Sequence, residues 1–65
     1  MYKKYAKLRD ARGMSDYAVA KQTNIPQSTI YDWRQRSEKD DKAALSIGNL
    51  RKIADLFGVS LEEFA

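Results

Sequence analysis

The chain has 65 residues, 43% of them hydrophobic and 32% charged. That is room for one compact domain around a shallow apolar centre, and too much apolar content for a disordered chain. Twelve Lys and Arg against nine Asp and Glu leave a formal charge of +3, which favours polyanionic partners without naming one. Cysteine and histidine are both absent, so disulfides, thiolate or imidazole metal sites and thiol or imidazole catalysis are excluded. No cofactor, metal or small-molecule substrate is therefore expected, and no Gly-rich loop precedes a Lys-Ser or Lys-Thr pair. No apolar run has signal-peptide or transmembrane character, which makes the cytoplasm the expected location and gives no membrane partner.

From Tyr2 to Arg12 the residues are mostly good helix formers, and Tyr5, Leu8 and Ala11 define a face for burial while the lysines meet water. Gly13 ends that helix. Ser15 is placed to cap a second helix through about Thr23, with Val19, Ala20 and Thr23 on one side. Asn24 follows, and asparagine tolerates the left-handed backbone that reverses a chain in a tight turn. Ile25 then packs inward.

Pro26 suits the start of a third helix running to about Gln35, because its fixed φ and missing N–H cost little in a first turn. Ile30 and Trp33 are its buried pair, which leaves Gln27, Ser28, Tyr31, Asp32 and Gln35 facing out. Ser37 to Ala44 lacks apolar periodicity and is dense in charge, so it is expected to be a solvated loop with at most a fragment of helix. Ser46 caps a fourth helix in which Leu50, Ile53, Ala54 and Phe57 recur at i, i+3, i+4 and i+7, and Gly58 stops it. Ser60 and Glu63 have the spacing of a capping box, opening a last short helix whose Leu61 and Phe64 close over the core beside Val59.

The second and third helices with their short turn form a helix-turn-helix. Ala20 is small where the two helices approach most closely, Asn24 lies four residues on at the turn, Ile25 plugs it, and Ile30 lies ten after Ala20 on the inner face. The run from Leu8 to Phe64 resembles the Cro/C1-type (XRE) family of repressor domains. The segments that carry the likeness are LRDARGMS, AVAKQTNIPQSTIYDW and NLRKIADLFGVSLEEF. The resemblance implies an all-α, lambda-repressor-like fold of about five short helices. It also implies sequence-specific binding of double-stranded DNA through the major groove, usually as a homodimer, in a transcriptional regulator of repressor type.

Carried over residue by residue, the resemblance puts Gln27 and Ser28 at the start of the recognition helix, with Tyr31 and Asp32 one turn on, as base readers. Glutamine can bond adenine N6 and N7 together, and aspartate can accept from cytosine N4. Tyr31 has two readings, against a thymine methyl or against a phosphate. Phosphate contacts are expected at the N-terminus of the second helix, with Ser15 and Tyr17, and from Thr29, Arg34 and Arg36.

Three positions depart from the family's usual pattern. Asp16 stands where glutamine is common, and a carboxylate beside a phosphate is repulsive, so its expected role is charge at the start of a helix. Arg34 stands where a glutamate usually pairs with the arginine matching Arg9, which leaves Arg9 as a phosphate contact or a solvated charge. The acidic loop, with Glu38, Asp40 and Asp41, is longer than usual. Asp16 and that loop motivate the alternative of a protein-interaction module on the same fold, an antitoxin or anti-repressor partner.

Overall fold

The computed structural model describes all residues from Met1 to Ala65 and is all-α. Four α-helices, α1 (Tyr2–Ala11), α2 (Asp16–Thr23), α3 (Gln27–Lys39) and α4 (Ile47–Phe57), are followed by one 3-10 turn, Leu61–Phe64. They enclose a single cluster in which Tyr5, Val19, Ile30, Trp33, Ile53 and Phe64 are fully buried.

Local chemistry sets the helix ends. The Ser15 hydroxyl accepts from the Ala18 N–H at 3.1 Å, and the Ser46 hydroxyl from the Asn49 N–H at 3.3 Å, so both expected caps form. Gly58 ends α4 with φ at 68°, in the left-handed region where a Cβ is disfavoured. Asn24 takes the same conformation, φ 61°, and turns the chain from α2 into Ile25 and Pro26. Changing Asn24 to Ala, which tolerates that conformation less well, should cost about 1 kcal/mol in urea unfolding. Asn24→Gly should cost nothing or stabilise slightly. Equal stability of the Ala and Gly variants would show that the turn is not held by backbone preference.

Three boundaries and faces differ from expectation. First, α3 continues to Lys39 instead of ending near Gln35, so the connecting segment is shorter, Asp40 to Ser46. Arg, Glu and Lys are good helix formers, and the Ser37 hydroxyl finds an acceptor in the Arg34 carbonyl at 2.7 Å, so a serine at this half-buried position leaves no unmet donor. Second, Ser60 and Glu63 form no capping box: the Glu63 N–H bonds the Ser60 carbonyl at 3.1 Å, not its hydroxyl, and the segment is a 3-10 turn. Its i→i+3 bonds, Glu63 N–H to Ser60 and Ala65 N–H to Glu62, wind it tighter than an α-helix and carry Phe64 into the core. Third, α1 packs by Tyr2 and Tyr5, while Leu8 is half-buried and Ala11 exposed. Aromatic area outweighs the aliphatic spacing, because the Tyr2 and Tyr5 rings lie 5.0 and 5.1 Å from the Trp33 ring.

The segment after α3 is pinned at several points rather than freely solvated. Trp33 Nε1 donates to the Ala43 carbonyl at 2.9 Å, Arg36 donates to the Ala44 carbonyl at 3.0 Å, and Ala43 and Leu45 are buried. The Asp40 carboxylate accepts from the Lys42 N–H at 3.0 Å, an Asx-type turn that ends α3. At the opposite end of the fold Arg12 donates to the Phe57 carbonyl at 2.8 Å, satisfying a terminal acceptor of α4.

Candidate nucleic-acid interface

The inner side of the helix-turn-helix is closed by apolar contact. Ala20 and Thr23 of α2 and Ile30 and Trp33 of α3 are buried, with Ile25 wedged in the turn between them. The Thr23 hydroxyl is satisfied by the Val19 carbonyl at 2.7 Å, so a polar residue sits at this seam without an unmet bond. Burial of one side of α3 forces the other outward. Gln27, Ser28, Tyr31, Asp32, Arg34, Gln35 and Arg36 are all exposed, and Thr29 is half-buried at the edge.

Tyr31 is 60% exposed, which for so large an apolar ring leaves it available to a partner. Tyr17, at the start of α2, is 53% exposed, and the Lys21 ammonium lies 5.5 Å from its ring centre. Lys21 was not singled out from the sequence. Its i,i+4 spacing from Tyr17 is the signal that carries it. Pro26 gives α3 no side-chain cap, and the N–H groups of Gln27 and Ser28 have no acceptor within the chain. The positive end of the α3 dipole therefore coincides with the two residues placed first in the expected reading set.

Charges on this surface are arranged unequally. Arg36 Nε meets Asp32 Oδ2 at 2.9 Å, an i,i+4 pair, so anything that approaches either residue must compete with the other. The Arg34 guanidinium makes no hydrogen bond or ion pair, although that of Arg36 makes both.

Asp16 corrects the expectation that it is only a helix-start charge. Its Oδ1 accepts from the Tyr5 hydroxyl at 2.6 Å and from Arg9 Nη1 at 2.7 Å, and its Oδ2 from the Tyr2 hydroxyl at 2.7 Å. Arg9 is accordingly neither free for phosphate nor simply solvated: it also donates to Tyr2 at 3.0 Å and to Asp10 at 3.0 Å. The arginine's internal ion pair exists after all, with a carboxylate from the start of α2 in place of one on α3.

Burial pushes the Asp16 carboxyl up, but the hydrogen bonds from Tyr5, Arg9 and Tyr2 outweigh it and hold the group below the usual carboxylate range. Burial, reinforced by the bond to Asp16, raises both tyrosine hydroxyls above their ordinary value. For Arg9, burial works against the charge and is overcome by the bonds to Asp16 and Asp10. A carboxylate that was expected to repel phosphate is thus neutralised inside the fold, and it ties α1 to the N-terminus of α2.

The helix-turn-helix family model matches residues 6–64, nearly the whole chain. The chain belongs to the Cro/C1-type helix-turn-helix family. No curated protein and no solved structure matches it at a significant level. Membership of this family, which is non-catalytic, implies DNA binding. None of the helices of this helix-turn-helix domain is long and apolar enough to cross a membrane.

Proposed function

We propose that the domain binds double-stranded DNA sequence-specifically by laying the outer face of α3 in the major groove, and that it regulates transcription in the cytoplasm as a repressor of bacterial or phage type. The observation that carries this reading is the exposed polar face of α3, set on a seam whose other side is fully packed. A helix held that rigidly can present side chains to base edges in a groove about 12 Å wide.

Gln27 is assigned to an adenine, Ser28 to an adjacent base, and Tyr31 to a thymine methyl or a phosphate. Asp32 is assigned to a cytosine N4, with Arg36 released to a neighbouring phosphate when their pair opens. Ser15, Tyr17, Thr29 and Arg34 serve the backbone and fix the register. Two copies on half-sites one helical turn apart would read a pseudo-palindromic operator. Of the features that motivate the protein-interaction alternative, Asp16 is engaged within the fold, while Glu38, Asp40 and Asp41 are exposed.

The test is a selection of bound duplexes from a random pool, followed by binding of the selected duplex to the parent and to Gln27→Ala. The variant should lose about 1–3 kcal/mol of discrimination at one or two base pairs while binding mismatched duplex about as well as the parent. An unaltered preference would remove Gln27 from the reading set. Absence of salt-dependent saturation by any duplex would remove the whole reading.

A further inference from the structure

We infer that the extra length of α3 is a second part of the DNA contact, in which Gln35 touches a base edge and Lys39 a phosphate on the far side of the groove; this rests on the major-groove reading above. Helical spacing places Ser28, Asp32, Gln35 and Lys39 along one stripe, at steps of four, three and four residues. All four are exposed. Because α3 stays helical to Lys39, that stripe is about 16 Å long from Ser28 to Lys39, whereas the groove is about 12 Å wide. A helix whose first turn is at the base edges therefore carries its last turn out to a sugar-phosphate wall.

Lys39 is the one cation of the stripe, and two of the acids around it have partners of their own. Asp32 is held by Arg36, Asp41 lies 3.8 Å from Lys3, and the Asp40 carboxylate is turned back to the Lys42 N–H. Lys39 has no carboxylate within ion-pair distance and no hydrogen bond from its ammonium, which leaves it the unpaired cation of the stripe. Glu38 and Asp40, on either side of it, have no cationic partner, and both are exposed to solvent. Gln35, between Asp32 and Lys39, carries one donor group and one acceptor and no competing internal partner.

The test measures binding to the selected duplex across a salt series for the parent, Lys39→Gln, Lys39→Arg and Gln35→Ala, with thermal unfolding confirming that each variant folds. Lys39→Gln should bind every duplex more weakly and lower the slope of log K against log salt by about one, and Lys39→Arg should restore it. A neutral methylphosphonate at one backbone position should weaken the parent but leave Lys39→Gln unaffected. Gln35→Ala should relax preference at a base pair distinct from the one that Gln27→Ala relaxes.

A salt slope unchanged in Lys39→Gln, with no methylphosphonate position specific to the parent, would overturn the Lys39 contact, and unchanged preference in Gln35→Ala would overturn the Gln35 contact. Either result, together with a normal Gln27→Ala effect, would leave the major-groove reading standing. A parent that binds no duplex would instead bring down that reading and this one together.

Discussion

Trp33→Ala is expected to abolish cooperative folding. The indole is fully buried, packs against Tyr2 and Tyr5 from α1, and sends its one polar atom to the Ala43 carbonyl. Truncating a buried aromatic costs about 3–5 kcal/mol, and leaving a buried acceptor without its donor adds about 1–3 kcal/mol. A domain of this size has a total stability of only about 3–10 kcal/mol at the usual value per residue, so the loss is comparable to the whole. Urea unfolding followed by circular dichroism should show a broad, non-cooperative change for Trp33→Ala. Trp33→Phe, which keeps ring contact but loses the N–H, should remain cooperative with a lower midpoint. A Trp33→Ala variant that unfolds cooperatively within about 1 kcal/mol of the parent would show that the three-aromatic contact is peripheral to the core.

The order of elements was legible in the sequence because it rests on strong local signals. Ser15, Asn24, Ser46 and Gly58 are residues whose chemistry names their positions, and α4 shows its apolar face in four core residues at i, i+3, i+4 and i+7. The family segments reinforced the same divisions. The end of α3 was not legible, because the inward position one turn past Trp33 is Ser37, and a half-buried serine breaks the apolar period without breaking the helix. The helix is continued there by the propensity of Arg36, Glu38 and Lys39, which periodicity does not report.

The outward set on α3 was legible for a similar reason: once Ile30 and Trp33 are inside, geometry assigns Gln27, Ser28, Tyr31 and Asp32 to the other side. The Asp16 cluster was not. Its members come from both ends of α1 and the first residue of α2, and two of them are tyrosines, of which Tyr5 was expected only to pack. An ion pair that changes partner between positions 16 and 34 is invisible to a pattern that expects it at one of them. Its presence still has a local sign, since a carboxylate at the first position of α2 lies seven residues after the arginine of α1.

Asp16→Asn should be the most damaging polar substitution in the domain, with a loss of about 1–3 kcal/mol near neutral pH. The asparagine keeps the size but removes the charge that three donors share, and its NH2 takes the place of one oxygen, facing either the Tyr2 hydroxyl or the Tyr5 hydroxyl and Arg9. The Asp16 and Arg9 side chains remain 21% and 18% exposed, so water tempers the loss and keeps it below that of a fully buried pair. In a double-mutant cycle, Asp16→Asn should cost much less in an Arg9→Gln background than in the parent, because the two residues stabilise each other.

The pH dependence has a definite sign. The Asp16 carboxyl is held below its unfolded value, so its contribution is fully present above about pH 4 and is lost as pH falls through the lowered native value. The parent and Asp16→Asn should therefore differ most near neutrality and converge in acid. A difference that persists unchanged to about pH 2 would mean that the substitution acts through packing and not through charge. Because this cluster joins α1 to the residue that follows the Ser15 cap, its weakening should also loosen the N-terminus of α2. Hydrogen exchange of the Ala18 and Val19 amides, which bond back to Ser15, should then accelerate more than that of the α4 amides. Uniform acceleration across both helices would place the effect in global stability alone.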